Sequence, residues 1–330
     1  MATLRSVPNT ERCRPIIGHY CPLLVASRRF SACVNVRTPG LAPTDAPSGL
    51  IPALYTGLVD DAAVFPPGSA TLPDAVTAHR RHRGGWYAAL VGPLLVPASD
   101  LGSLPALLDT DERLEIGVIG DVPLEKLSAA VVGAGPRLAV RQVEAAVAKR
   151  SEDPQPGLQA LLAMRRDWPD VTVYAEVPLT WGLLAALDTL TAARADGAPV
   201  AAKFRTGGLA AELFPTPVEL AAVICACRDR ELPFKLTAGL HHALRHTDPE
   251  TGFTHHGFLN VLAGALAAAR GAEVAEVAEL LAATDPVPLI EPARAGRAAD
   301  RPLWVGFGSC SILEPLTDLI RLGLVDGGFE

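Results

Sequence analysis

Two lysines carry the chemistry that this sequence most plainly offers. Residues 200–242 hold two short apolar runs, VAAKFRTGG and LPFKLTAGLHH, each with a lysine followed by a glycine-containing turn. The chain has four lysines (Lys126, Lys149, Lys203 and Lys235) against twenty-five arginines, so a lysine inside an apolar strand is not a casual surface cation. A buried ammonium must lose its proton or find a partner. A lysine that gives up its proton is a nucleophile able to form a Schiff base with a carbonyl. The plainer account has both stems covering apolar surface with their heads in water. Two lysines on successive strands, followed at near-matching offsets by Thr206 and Gly207 and by Thr237 and Gly239, favour chemistry.

The elements that must hold these lysines follow from apolar runs alternating with amphipathic stretches. Strands are predicted over 54–59, 86–96, 114–119, 138–143, 171–177, 200–204, 233–237 and 304–308. Helices are predicted over 72–83, 124–132, 158–166, 181–195, 217–230 and 312–322. Eight near-continuous apolar strands alternating with helices imply a parallel sheet closed into an α/β (β/α)8 TIM barrel. Active sites in that fold lie at the strands' C-terminal ends, where this sequence places Glu144, Glu176, Lys203, Arg205, Lys235 and Ser309. Residues 51–330 then form one barrel domain, preceded by residues 1–50 as a poorly ordered N-terminal extension. The alternation fails once, over 243–303, an insertion after strand seven expected to overhang the barrel mouth. Five of the eight histidines (His241, His242, His246, His255 and His256) lie at its start.

Composition excludes other classes. A net charge of −7 argues against a nucleic-acid partner, which would normally meet a basic face. No apolar run approaches the ~18 residues of a membrane span. The six cysteines form no disulfide or zinc pattern, and reduced thiols in a cytoplasmic protein are the expectation. Residues 1–50 carry six arginines against Glu11 and Asp45, as targeting peptides do, but lack a long apolar stretch before a cleavage site. Homo-oligomerisation is left open.

These motifs, in this order, resemble the deoxyribose-phosphate aldolase family of class I aldolases. AAKFRTGG is similar to that family's Lys-Thr-Ser-Thr-Gly run on strand six, FKLTAGLHH to its Lys-x-x-Gly-Gly run on strand seven, and GFGSCSILEPL to its Gly-x-Ser-Ser turn after strand eight. VYAEVPL resembles its fifth strand, and AVRQVEAA places Glu144 where the family has an acidic residue on strand four. The resemblance implies a Schiff-base lyase that needs no cofactor or metal and acts on a small carbonyl substrate. Lys203 would form the imine, Lys235 would lower its pKa by repulsion, and Glu144 would shuttle protons, with Glu176 beside them. Gly207, Gly208, Gly239, Ser309 and Ser311 would bind a substrate phosphate. Arg205, Thr206, Thr237, His241 and His242 complete the expected substrate contacts. The chain departs from the pattern at Gly208-Leu209, where the family has a further lysine, at Ala238, and at His241-His242.

Two other readings remain at this point. A metal-dependent lyase or hydrolase would draw ligands from the cluster between His241 and His256, with Asp60, Asp61 or Glu176. Adjacent histidines on a strand face opposite ways, so one of each pair at most could reach a given metal. A barrel retained only for binding would have little need of its strand-end polar residues. Asp60-Asp61 before Pro66-Pro67-Gly68 reads either as mouth carboxylates or as turn chemistry. Asn260 reads as an anchor of the insertion or as a substrate contact.

Overall fold

A computed structural model describes residues 50–327, and the predicted N-terminal extension lies almost wholly outside the described residues. Eight parallel strands close in the order β1-β2-β3-β4-β5-β6-β7-β10, with β10 hydrogen-bonded back to β1. They are β1 (Val59–Asp61), β2 (Val91–Pro97), β3 (Leu114–Ile119), β4 (Leu138–Ala146), β5 (Thr172–Glu176), β6 (Val200–Arg205), β7 (Phe234–Thr237) and β10 (Trp304–Ser309). This is the expected (β/α)8 barrel.

The helices outside it are α1 (Leu72–Gly84), α2 (Leu124–Val132), α3 (Pro154–Met164), α4 (Leu183–Ala195), α5 (Pro217–Asp229), α6 (Phe258–Ala269), α7 (Val274–Ala282), α8 (Val287–Ala295) and α9 (Leu313–Arg321). Their starts are written locally. Thr216 accepts from the Glu219 amide while Glu219 reaches back to the Thr216 amide, with Pro217 in the first helical turn, so α5 begins three residues after Phe214. Thr71 and Asp153 cap α1 and α3 more simply, accepting from the Asp74 and Gln155 amides. Strand alternation then sorts the side chains. On β6, Val200, Ala202 and Phe204 face the helices, where Phe204 packs on Phe234, and Lys203 and Arg205 face the barrel.

The first strand starts later than predicted. Leu54 and Tyr55 are fully buried in a single 3-10 turn below the barrel, Gly57 reverses the chain at φ +56°, and pairing with β2 and β10 begins only at Val59. The apolar run was a core signal rather than a strand signal. Below the barrel, Arg301 donates to the carbonyls of Leu54 (2.6 Å) and Trp304 (2.8 Å) and to that of Val305, tying the chain before β1 to β10.

Residues 243–303 divide their work. At the mouth they form a small hairpin, β8 (His246–Thr247) with β9 (Thr254–His255). Then α6 supplies the helix that the barrel needs between β7 and β10, its Phe258 stacked on Phe307 at 5.7 Å. Ten of its twelve residues are buried because α7 and α8 cover its outer side. Gly264 lets α7 approach: a Cβ there would stand 3.3 Å from Val277 Cγ1. Asn260 is an anchor, accepting from the Arg245 amide (2.9 Å) and donating to the carbonyls of Leu280 (2.8 Å) and Ala283 (2.7 Å). The overhang at the mouth is therefore the hairpin alone, and the helices lie on the barrel's flank.

Candidate active site

Strand register brings the charged residues together. Lys203 pairs with Lys235 across β6 and β7, and with Glu176 across β5 and β6, so all three point the same way at one level. Lys203 Nζ lies 2.8 Å from Glu144 Oε2 and 2.7 Å from Glu176 Oε2. Lys235 Nζ lies 2.6 Å from Glu144 Oε1, contacts Asp60 Oδ2, and sits 5.0 Å from the centre of the Tyr174 ring. Glu144 therefore bridges the two ammonium groups with one oxygen each. Gln142 donates to both Asp60 Oδ2 (2.6 Å) and Glu144 Oε1 (2.9 Å), and Arg205 Nε reaches Glu176 Oε1 at 3.2 Å. Partners on β4 and β7, which are not neighbours in the sheet, can meet only inside the barrel.

Burial and charge set the protonation states. Burial alone would raise Glu144, but Lys203 and Lys235 outweigh it and hold the carboxyl down to about 2. Glu176 is likewise lowered, its burial outweighed by Lys203 and Arg205. Asp60 goes the other way: burial raises it, Lys235 offsets only part of that, and the charge of Glu144 adds to it. Two neighbouring carboxyls are thus pushed apart, one kept ionised and one drawn towards protonation.

Both lysines depart from expectation. Burial pulls the Lys203 ammonium down, but Glu144 and Glu176 pull it up by more, and Lys235 is raised in the same way by Asp60 and Glu144. Repulsion between the lysines does not govern the resting site, because a carboxylate stands between them. The resting site therefore favours the Lys203 ammonium.

The rim residues expected to hold a phosphate are largely occupied with one another. Thr206 donates its hydroxyl to the Ala238 carbonyl (2.7 Å) and its amide to the Thr237 carbonyl (2.9 Å). The loops after β6 and β7 touch backbone to backbone: a Cβ on Gly207 would lie 3.1 Å from Gly239 Cα, and Gly239 itself adopts φ +79°. Gly208 is overlain by Leu213. Ser309 donates its hydroxyl to the Ser311 carbonyl (2.7 Å), and Ser311 accepts from the Glu314 amide (3.3 Å) as α9 begins.

The histidines pack in a chain of ring contacts rather than round a common point, with His242 edge-on to His246 at 4.9 Å. His241 Nδ1 meets Glu314 (3.1 Å), His242 Nδ1 meets Asp318 (3.4 Å), and His246 stacks on His255 at 5.3 Å. His255 faces Gly239 and Phe214, whereas the adjacent His256 turns the other way, its Nδ1 accepting from Arg245 (3.3 Å) and its Nε2 donating to the Pro215 carbonyl (2.8 Å). Burial and the nearby Arg245 charge push His256 down to about 4, despite its contact with the Pro215 carbonyl, so it is a neutral packing residue. Among the described residues no group of three or more His, Cys, Asp and Glu is placed to hold a metal.

Sequence reasoning left Gln142 and Tyr174 out of the site and Asp60-Asp61 open between mouth carboxylates and turn chemistry. Of that pair, Asp60 enters the barrel and Asp61 turns outward to His79 on α1 (2.9 Å). Gly92 on the next strand makes room for Asp60: a Cβ there would stand 1.9 Å from Asp60 Oδ1. Among the described residues no helix is long and apolar enough to cross a membrane. No protein-family model matches the chain, and no curated protein matches it.

Proposed function

We propose that this barrel is a class I aldolase or a related carbon-carbon lyase, in which Lys203 forms an imine with a small carbonyl substrate. The observation that carries the reading is a buried lysine held between two carboxylates at the C-terminal end of a parallel barrel, with a second lysine in register beside it. The motif resemblance of strands six to eight to deoxyribose-phosphate aldolases supports the choice of Lys203 over Lys235.

The proton inventory suits the geometry. A lysine ammonium and a carbonyl give an iminium and one water, so charge is conserved and two protons must travel from nitrogen to the departing oxygen. Glu144 and Glu176 both touch Lys203 Nζ and are placed to carry them. As Lys203 gives up its proton, its hold on Glu144 falls and that carboxyl becomes a better base. The same carboxylate can then take the proton from the carbon next to the iminium, giving the enamine that makes or accepts the carbon-carbon bond. Lys235 keeps Glu144 and Asp60 oriented and compensates their charge.

Enamine formation is read by exchange. In deuterium oxide the protein should exchange the protons next to the carbonyl of acetaldehyde or acetone, and Lys203→Met should fall to the uncatalysed rate. Exchange that survives the substitution would remove Lys203 from the chemistry.

A further inference from the structure

We propose that the site takes an uncharged hydroxy-carbonyl compound, and that Glu314 stands where a substrate's phosphate or carboxylate would otherwise bind. The proposal deepens the imine reading by naming the substrate class, and it rests on that reading for what Lys203 does.

Two independent observations carry it. The first is the pairing of charges inside the barrel. Lys203, Lys235 and Arg205 are each already held by a carboxyl group of Glu144, Glu176 or Asp60. Imine formation conserves charge, so a neutral substrate leaves these pairs as they were. An anionic one brings a further negative charge beside Glu144 and Glu176, in a site whose burial already disfavours the charged form of Asp60.

The second is the start of α9. The first turn of a helix offers unpaired amides and a positive dipole end to an anion, and the chain provides that anion itself. Glu314 lies in the first turn, its amide donates to Ser311 Oγ, and its carboxylate faces His241 at 3.1 Å. Asp318, one turn on, accepts from the Ala243 amide (2.9 Å) and faces His242 at 3.4 Å. Both histidines that could have greeted an anionic tail thus look onto carboxylates. The hydroxyls of Thr206 and Ser309 are already donated to main-chain carbonyls. At the start of α9 a ligand meets the half-exposed carboxylate of Glu314, which accepts hydrogen bonds from substrate hydroxyls and repels phosphate.

The test uses the full chain and two measurements. Inorganic phosphate and erythritol 4-phosphate are titrated calorimetrically into wild type and Glu314→Gln, and borohydride trapping is compared for erythrose and erythrose 4-phosphate. Wild type should show no saturable binding of either phosphate at millimolar concentrations. Glu314→Gln should tighten both by roughly tenfold or more, as removal of a like charge from a partly buried position requires. Trapping should favour erythrose by a similar factor. Saturable phosphate binding by wild type, equal or better trapping of the phosphorylated aldehyde, or a Glu314→Gln protein no better at binding phosphate than wild type would each overturn the proposal. If neither aldehyde is trapped, the imine reading fails, and the phosphate titrations still decide this one.

Discussion

At the scale of single residues, Glu144 is the side chain on which the site turns. It is 1% exposed and accepts from both lysines, so replacing it leaves two buried ammonium groups sharing too few partners. Removing one member of a buried ion pair typically costs about 3 to 5 kcal/mol. Glu144→Gln should therefore lower unfolding stability by about 3 kcal/mol at neutral pH in urea titrations. The pH dependence has a definite sign. A carboxyl lowered on folding from its ordinary value of 4.5 to about 2 contributes stability that is complete above 4.5 and is lost as pH falls towards 2. The gap between wild type and variant should hold from neutrality down to that value and shrink below it. A gap that widens on acidification would show that Glu144 is not the ionised partner. The lysines could be read from the sequence because a cation inside an apolar run is anomalous on its face. Asp60 could be read only in part, because two aspartates ahead of a proline-rich turn serve equally as mouth carboxylates or turn chemistry, and only closure of the barrel shows that one of them meets Lys235.

At the scale of elements, most helices and strands were readable because each is a separate apolar period. The errors arose where burial and pairing part company. Leu54 and Tyr55 are as buried as any strand residue yet pair with no strand. The hydroxyls of Thr206 and Ser309 read as ligands for a phosphate, but a loop with unpaired carbonyls nearby uses its own hydroxyls first. The insertion shows the same logic in reverse. Its most polar buried residue, Asn260, serves the fold by joining the hairpin's base to α7. Asn260→Leu would leave the Arg245 amide and the carbonyls of Leu280 and Ala283 without that partner, and each unsatisfied buried group costs about 1 to 3 kcal/mol. The variant should be less stable by about 3 kcal/mol in urea denaturation while forming the Lys203 adduct at the wild-type rate. An adduct lost with stability unchanged would make Asn260 a site residue instead.

At the scale of the whole molecule, the barrel is a device for bringing β1, β4, β5, β6 and β7 to one point. The pair Lys235 and Asp60 joins residues 175 positions apart, and Glu144 and Lys235 are 91 apart. No local pattern can show such a meeting, although the eightfold alternation announces the closure that makes it. Closure also explains why two lysines can be buried at all: three strands, β1, β4 and β5, supply the carboxylates and amide that no single strand could. The central claim is that this enclosed charge cluster exists to make Lys203 a nucleophile. It is tested most directly by incubating the protein with a panel of small aldehydes, ketones and keto acids, reducing with borohydride, and mapping the modified peptide by mass spectrometry. The account predicts one stable adduct, on the peptide containing Lys203 and absent from Lys203→Met. An adduct confined to Lys126, Lys149 or Lys235, or none from the whole panel, would contradict it.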